Sequence, residues 1–510
     1  MPGPAFRRAG RILLVLAGLA AFAGTGCAGV FSRYDTAPNG LRRTEDRLRQ
    51  DLAFGRADSA LARLADEDDD NDAPEDELLR ALYTGILAHY AGAFDSSSAA
   101  LQRAADLADD RYTKRVSRAA LSLITSDNVL PYEPGWTERL LIHYYGALNY
   151  LRKGDREAAA VEARRLALLL EREAERKRDD RTTPLLATLR YFTGVVFEAA
   201  GEWNDADVAY RNAFHLLDRN DSVPSSPDSL GTVVVVVEQG FVAHRVEQSI
   251  VAPLHPVEVA WLTGGDGEHR AIAAAEVAAR IVAEIVHLEN DRPYSGRKPP
   301  TVYVSLPPDH YFEQLCDDTS KKARPDDDET DDRNGKGGEI RGCPARGENP
   351  YLLRIAWPAF RLDREPATGL RVIAGDTAAP LAYRANVSNA VIRDFSDERT
   401  LVVARTITRA VSKMALARGI EKNVGKGDDA WVGRVLGLVA NVGTAILEQA
   451  DTRSWHLLPG QIGIARLHLP TGTHDIVVEV PDGGQLRRIQ ADRVAVRAGE
   501  VVVVPVRIWQ

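Results

Sequence analysis

The stretch that decides the fold is PYEPGWTERLLIHYYGALNYLRKGD, residues 131–155. Its two prolines hold the chain extended, because the residue before a proline is pushed out of the α region, and a helix is predicted to begin with Thr137 as its N-terminal cap. Lys153-Gly154 is typical of a helix C-terminus. Between them, apolar and aromatic residues recur at steps of three and four: Leu141, Tyr144, Tyr145, Leu148 and Leu151. This spacing predicts an amphipathic helix with a wide apolar face.

A second helix is predicted directly after Gly154, with Ala159, Ala163 and Leu166 on one side. Small residues at these steps allow two antiparallel helices to approach closely, so the sequence predicts a helical hairpin. Helical periodicity is also present from Leu41 to Leu64. The acidic run that follows, residues 66–77, is predicted to be a solvated loop.

Three segments resemble tetratricopeptide repeats, in which small and aromatic residues occupy set positions along two helices. The fullest match comprises Gly194, Phe197, Gly201, Trp203, Ala206, Tyr210 and Ala213. The copy that contains residues 131–155 matches at Ala147, Tyr150, Gly154, Ala159 and Leu166. A further copy matches at Gly85, Gly92, Phe94, Leu101 and Ala104. The resemblance implies a helical-repeat domain over residues 41–220, in which most of these side chains form the core and a concave groove binds a partner protein.

The N-terminus has the pattern of a secretory signal, residues 1–26. A basic start and a short apolar run, Ile12–Ala23, end in Gly24-Thr25-Gly26-Cys27. This ending resembles the lipobox of bacterial lipoproteins, although Gly24 stands where that motif usually has Leu. The resemblance implies that Cys27 is acylated and becomes the mature N-terminus, followed by a tether, residues 27–40. The alternatives are an ordinary cleaved signal and an uncleaved anchor. Ala28 resembles the residue that sorts lipoproteins to the outer membrane, which implies a lipid-anchored protein facing the periplasm.

Charge restricts the classes of partner, and length indicates the number of domains. The chain has a net charge of −9, and loss of residues 1–26 with their three arginines and no acids lowers it to −12. This charge argues against nucleic acid as a partner. A length of 510 residues predicts about three domains. We predict an α+β protein with the helical domain first, an α/β region over residues 231–450 and a small β module over residues 455–510.

Two thiols besides Cys27 bracket a polar excursion. In an oxidising periplasm Cys316 and Cys343 are candidates for a disulfide, and the alternative is two unpaired thiols. Too few Cys or His residues lie nearby for a zinc site, and an EF-hand spacing within the excursion lacks its first and last ligands. We therefore expect residues 316–343 to form a mobile surface loop, and the sequence indicates no metal or cofactor.

A helical pair is predicted over residues 400–449. In its first helix Arg405, Arg409 and Lys413 recur at four-residue steps and form a basic stripe in an acidic protein. The stripe could bind the anionic groups of a glycan or lipid, or it could be a solvated face that pairs with acids. The second helix, residues 431–447, is apolar with interspersed glycines. It is predicted to be buried against its predecessor, with insertion into a membrane surface as the alternative.

The β-strands are predicted from a change in composition after a Ser/Pro/Asp-rich linker, residues 220–230. Val233–Val237 is an unbroken β-branched run, which predicts a buried strand. Near the C-terminus, strands alternate with turns, and Asp482-Gly483-Gly484 predicts a hairpin. The pattern P-x-G-x-H-x-x-x-V followed by R-A-G-E-V-V-V-V resembles a PEGA-type module, which implies a small β-sandwich over residues 455–510.

Three blocks carry a wider resemblance: PYEPGWTERLLIHYY, the helix with Arg409 and Lys413, and EQADTRSWHLLPGQIGIARLHLPTGTH. Together they resemble a family of uncharacterised tetratricopeptide-like bacterial lipoproteins. Some members resemble partners of penicillin-binding-protein activator lipoproteins, which implies a link to cell-wall assembly. The excursion over residues 316–343 departs from what the family leads us to expect.

The sequence contains no G-x-S-x-G, H-E-x-x-H, P-loop or dinucleotide fingerprint. His143 could bind a ligand, but a hydrogen-bonded packing role is favoured. We therefore predict a non-enzymatic scaffold that recruits an envelope protein through the helical-repeat groove. The rival is a binding module for an acidic glycan or lipid. A third interpretation is an enzyme acting on peptidoglycan, because carboxylate pairs formed in space are invisible in sequence.

Overall fold

The computed structural model describes residues 40–66, 76–113, 130–177, 179–224, 229–264, 267–287, 293–295, 301–305, 351–424, 450–482 and 484–509. Helices and strands are both abundant in these ranges, so the α+β class is confirmed. Several predictions lie outside the described residues: the signal, almost all of the tether, Cys27, Cys316, Cys343, the excursion over 316–343 and the helix over 431–447.

The described part of the helical half contains four helical hairpins. Their first helices are α1 (Gly40–Ala53), α3 (Glu77–Tyr90), α5 (Trp136–Lys153) and α7 (Thr183–Ala199). Their second helices are α2 (Ala57–Asp66), α4 (Phe94–Thr113), α6 (Arg156–Lys177) and α8 (Trp203–Leu216). Three of these hairpins coincide with the segments singled out in the sequence. For α1 and α2 the sequence had indicated helical periodicity alone.

One turn geometry recurs in all four hairpins. Each turn has a glycine with a φ between 69° and 79°: Gly55, Gly92, Gly154 and Gly201. The amide after each glycine donates to the carbonyl five residues earlier, as Asp155 N does to Tyr150 O at 2.9 Å and Glu202 N to Phe197 O at 2.8 Å. Glycine is favoured here because a left-handed backbone strains residues with a Cβ. The recurrence is therefore a local consequence of the sequence.

The helices within a hairpin approach closely at a glycine in the first helix. A Cβ added at Gly85 would lie 2.6 Å from Leu101, and one added at Gly194 would lie 2.7 Å from the Tyr210 ring. The corresponding distance from Gly146 to Glu162 is 3.2 Å. In each case the neighbour lies on the second helix at the same sequence separation, so the three hairpins pack in the same register.

Helix α5 begins at Trp136, and the prediction that Thr137 caps it is wrong. Gly135 is the cap residue, and its amide donates to Glu138 Oε2 at 3.0 Å. The Thr137 amide donates to Asp394 Oδ2 at 2.9 Å. Thr137 already lies in the first turn, so its free amide takes a carboxylate from a distant helix, which also suits the positive end of the helix dipole.

Twelve described strands form three four-stranded sheets. They are β1 (Leu230–Gln239), β2 (His244–Leu254), β3 (Tyr294–Ser295), β4 (Val302–Tyr303), β5 (Tyr351–Leu362), β6 (Arg371–Ala374), β7 (Thr377–Pro380), β8 (Tyr383–Asn386), β9 (Gln461–Pro470), β10 (Gly472–Asp482), β11 (Gln485–Val496) and β12 (Val501–Ile508). The first sheet has the order β12-β1-β9-β8, the second β11-β10-β6-β7 and the third β3-β5-β2-β4.

The boundary predicted between residues 231–450 and 455–510 does not separate two sheets. β1 lies between β9, which is antiparallel to it, and β12, which is parallel to it. β10 likewise pairs with β6. Strands from the C-terminal segment are therefore completed by strands from the central region, and the predicted separate module is corrected to a part of two shared sheets.

β1 is buried on both of its faces, which explains its unbroken run of valines. Val233, Val235 and Val237 pack in a core shared with the second sheet, whereas Val234 and Val236 pack in the core of the helical half. The first sheet is thus a middle layer between the helical hairpins and the second sheet.

The third sheet packs against α9 (Pro256–Gly264), α10 (Gly267–His287) and α11 (Val387–Val424). Helix α11 begins well before the predicted Thr400, because Asn386 caps it: its Oδ1 accepts from the Asn389 amide at 2.9 Å. Ile407 is buried in this core. Asp394 therefore lies within α11, where its carboxylate accepts from the Thr137 amide.

Candidate functional site

The first helices turn one side, which we call the inner face, toward the first sheet and residues 450–460. Side chains of both parts belong to one continuous core, including Tyr144 and Phe192 from helices and Val234, Trp455 and Ile462 from the β-half. The chain's own strands therefore cover the inner face. The sequence does not identify which side of the hairpins forms the groove that is predicted to bind a partner protein.

A buried carboxylate lies at the centre of the inner face. Glu238 of β1 accepts hydrogen bonds from the hydroxyls of Tyr144 at 2.8 Å and Tyr90 at 3.0 Å. Tyr145 extends the network, with its hydroxyl 2.8 Å from that of Tyr90. Burial raises the pKa of all three tyrosines, so they stay protonated and remain donors. The arrangement satisfies the carboxylate and joins α3 and α5 to the sheet.

A second buried carboxylate joins α7 to the sheet. Glu198 forms a bidentate pair with Arg466 of β9, with Oε1 2.5 Å from Nη2 and Oε2 2.8 Å from Nη1. Tyr210 donates to the same carboxylate at 2.5 Å. Next to this pair the rings of Tyr191 and Tyr383 stack with centroids 4.0 Å apart.

A third carboxylate, Glu138, holds residues 450–460 on the helices. Its Oε1 accepts from the Trp455 amide at 2.8 Å, and its Oε2 accepts from the Tyr132 hydroxyl at 2.5 Å. Nearby, Arg453 is buried and donates to Asp76 Oδ1 at 2.9 Å and to Asp451 Oδ2 at 2.8 Å. Asp76 had been predicted to lie in a solvated acidic loop. Its burial with Arg453 corrects that prediction for this residue.

Three buried histidines lie along the inner face. Arg49 donates to His244 Nδ1 at 3.0 Å, and the rings of His244 and His456 lie 5.6 Å apart. Burial, with the positive charge of Arg49, lowers the pKa of His244 to about 3 and that of His456 well below its ordinary value. Burial also lowers the pKa of His89, which bonds to Asn149 Oδ1 at 2.6 Å. All three rings are therefore neutral at pH 7.

The C-terminal end of β12 closes the inner face with aromatic contacts. Arg507 lies 4.3 Å from the ring centroid of Trp509 and 5.4 Å from that of Tyr90. Trp509 also meets Tyr90 edge to face at 4.9 Å. Such contacts are favourable in a partly desolvated setting. The inner face therefore performs docking between the two halves of the chain.

A small pocket lies away from the inner face, between α4, α5 and α6, and contains His143. Its Nδ1 is 2.7 Å from Glu162 Oε2, and Arg165 donates to Glu162 Oε1 at 2.8 Å. Glu162 is the single carboxylate in the lining of this pocket. His143 is thus the hydrogen-bonded packing histidine that was favoured, and the pocket lacks the paired carboxylates of a glycoside hydrolase.

The basic stripe does not form an exposed surface at the positions that the structure describes. Arg409 is 4% exposed, and Arg405 is half-buried. Both make interactions within the chain. The side chain of Lys413 lies outside the described residues. The expectation of a solvated face is therefore wrong at Arg409, because its side chain is buried within the chain.

Within the described ranges, no group of three or more His, Cys, Asp or Glu side chains is arranged to hold a metal ion. Among the described helices, none has both the length and the apolar character needed to cross a bilayer. No family model, curated protein or solved structure matches this chain.

The opposite side of the hairpins, which we call the outer face, carries the second helices. Large apolar side chains are exposed here: Val161 and Leu168 on α6, and Trp203 and Val208 on α8. Val161 and Leu168 flank Arg164 on one side of α6. Arg164 Nη2 pairs with Glu202 Oε2 at 2.5 Å, which brings this part of α6 to the start of α8 at Trp203. We call Val161, Leu168 and Trp203 the outer patch.

Proposed function

We propose that the protein is a lipid-anchored scaffold of the bacterial cell envelope that recruits another envelope protein, in a setting linked to cell-wall assembly. The observation that carries the proposal is the outer patch, because three large apolar side chains lie exposed around one ion pair while the inner face is filled by the chain itself. An exposed apolar cluster rimmed by charges is typical of a protein-binding surface.

The helical half is proposed to be tetratricopeptide-like, and the first two sheets to be a sandwich. The recurring glycine turn and the common register of the three close approaches support the first proposal. The core shared by the two sheets supports the second. The inner face holds the chain's own β-half, which leaves the other sides of the hairpins for the partner.

The anchoring proposal rests on the sequence pattern at Cys27 and is tested by fractionation. The wild type is expected in the outer-membrane fraction, and the variant Cys27→Ser is expected to lose membrane attachment after its signal is cleaved. A cleaved Cys27→Ser protein that remained membrane-bound would refute lipid anchoring. A wild-type protein that was found in the cytosol with its leader intact would refute export altogether.

The recruiting proposal is tested by chemical crosslinking in intact cells, followed by mass spectrometry. The wild type is expected to yield one reproducible envelope protein, and the variants Trp203→Asp and Leu168→Asp are expected to lose it. Tyr303→Asp is a matched control, because Tyr303 is 73% exposed but lies on β4 in the third sheet. Equal recovery of the partner with all three variants would exclude the outer patch, and absence of any specific partner would exclude the scaffold.

The rival function, binding of an acidic glycan or lipid, depends on the stripe formed by Arg405, Arg409 and Lys413. The burial of Arg409 removes the middle of that stripe from solvent. The scaffold is therefore the function that the geometry supports best.

A further inference from the structure

Strand β11 forms an open edge of the second sheet. It pairs with β10 from Gln485 opposite Asp482 to Val496 opposite Gly472, with one register shift between Gln490 and Asp492. Among the described residues no strand pairs with its other side. The half of β11 nearest the turn is exposed, including Leu486 at 58%.

The hairpin register fixes which peptide groups face outward. Asp482 and Gln485 close a two-residue turn, so they form a hydrogen-bonded pair, and bonding to β10 then alternates along β11. The N–H and C=O groups of Leu486, Arg488 and Gln490 consequently point away from β10. Unpaired peptide groups in a row are a template for an added strand.

The charge along this edge differs in sign from that of the whole chain. Residues 485–497 contain Arg487, Arg488, Arg493 and Arg497, all exposed, and one acid, Asp492. The side chains of Arg487 and Arg497 make no hydrogen bond or ion pair with the described residues, whereas Arg488 pairs with Glu479 and Arg493 with Asp475. The chain as a whole has a net charge of −9. The edge therefore combines open backbone groups with uncompensated positive charge, which selects an acidic strand.

The same charges argue against two other uses of the edge. Pairing of two β11 edges from separate copies would set arginines beside arginines, and like charges on adjacent strands are unfavourable. Arginines can also serve only to keep an edge from aggregating. That role does not require Leu486, an exposed apolar side chain that offers contact area to an incoming strand.

We propose that β11 binds an extended acidic segment of a protein partner, which adds as a further strand to the second sheet. The segment would take its hydrogen bonds from Leu486, Arg488 and Gln490 and its charge contacts from Arg487 and Arg497. This surface is separate from the outer patch, so the proposal stands or fails independently of the recruiting surface proposed above.

The test uses the full chain and a fluorescein-labelled eight-residue peptide of alternating Glu and Val, with binding measured by fluorescence anisotropy. The Glu/Val peptide is expected to bind. A Lys/Val peptide is expected not to bind, and a Glu/Val peptide with N-methyl groups on alternate amides is expected to bind at least about tenfold more weakly, because it cannot complete the ladder. Equal binding of the methylated peptide would show attraction by charge alone and would overturn strand addition.

Two variants locate the site on β11. Gln490→Pro removes an outward amide without touching the bonds to β10 and is expected to weaken binding about tenfold, whereas Arg487→Glu is expected to weaken it severalfold. Arg172→Glu is the control, an exposed arginine on α6. Unchanged binding to both β11 variants, once circular dichroism shows that they are folded, would overturn the site. If Gln490→Pro does not fold, Arg487→Glu and the methylated peptide still test whether the peptide adds as a strand to β11.

Sedimentation of the wild type tests whether a second copy of the chain occupies the β11 edge. The proposal expects a monomer whose mass is unaffected by Gln490→Pro. A wild-type dimer that Gln490→Pro dissociates would assign the edge to a second copy of the chain and would overturn the proposal.

Discussion

The inner and outer faces of the helical hairpins each contain an Arg–Glu pair with a closest distance of 2.5 Å, yet the two pairs have different roles. On the inner face Glu198 is 1% exposed and Arg466 11%. On the outer face Glu202 is 29% exposed and Arg164 48%. Water can replace the exposed contact between Arg164 and Glu202, but it cannot replace the buried contact between Arg466 and Glu198. The difference teaches that the inner face determines the fold, whereas the outer face can change with little effect on stability and so is available for binding.

The largest expected effect comes from breaking the inner pair. Glu198→Ala leaves Arg466 buried without its carboxylate and should lower the free energy of unfolding by about 3–5 kcal/mol. Glu202→Ala, the matched change on the outer face, should lower it by less than about 1 kcal/mol. Urea unfolding of both variants measures the difference. Similar losses for the two would erase the distinction between the faces.

A smaller loss is expected when the acceptor at the centre of the inner face is removed. Glu238→Leu leaves the hydroxyls of Tyr90 and Tyr144 buried without their acceptor and should lower the free energy of unfolding by about 2–3 kcal/mol. Glu238→Gln keeps an acceptor oxygen and should lower the free energy of unfolding by less. If Leu were tolerated as well as Gln at this position, the tyrosine contacts would not stabilise the docked halves.

The histidines make the inner face sensitive to acid. Because the folded pKa of His244 is about 3, below the ordinary 6.5, folding excludes a proton, and the stability is complete above pH 6.5 and declines as the pH falls. At pH 5 this residue alone should lower the free energy of unfolding by about 2 kcal/mol relative to pH 7.5. His456 and His89, whose pKa values are also lowered, act in the same direction.

Urea unfolding at the two pH values provides the measurement for these histidines. The variant His244→Gln removes the titrating group and should show a flatter dependence on pH between 7.5 and 5. A wild type that was equally stable at both values would contradict the neutral buried rings.

The smallest effects distinguish packing from turn geometry. Gly194→Ala forces a methyl group into the Tyr210 ring, whose hydroxyl bonds to Glu198, and should lower the free energy of unfolding by about 2 kcal/mol. Gly154→Ala meets open space and loses only its left-handed backbone, which should lower the free energy of unfolding by about 1 kcal/mol. Thermal denaturation ranks the two, and the reverse order would contradict the close approach in α7.

Features that depend on local chemistry were predictable from the sequence. The turn at Gly154 follows from glycine's backbone freedom, and the burial of Tyr144 and Tyr145 follows from helical spacing. The buried strand at Val233–Val237 and the hairpin between β10 and β11 were likewise confirmed. In each case the residues that determine the structure lie within a few positions of one another.

Contacts that join distant segments were not predictable. Asp394 caps α5 from 257 residues away, and Asp76 leaves an acidic run to pair with Arg453. Neither partner carries a local signal, because an Asp in a helix or an acidic run is usually solvated. Glu238 had a signal that was missed: a carboxylate that directly follows five buried valines must find donors in the core.

The central claim, that the chain covers its own inner face and leaves the outer face for a partner, is tested most directly by photo-crosslinking in intact cells. A photoreactive amino acid replaces Tyr90, which contacts Trp509 on the inner face, or Trp203 on the outer patch. The account predicts that the probe at position 90 links only within the chain, near residue 509, and that the probe at position 203 yields a heavier product containing another protein. Heavier products from position 90, with none from position 203, would contradict it.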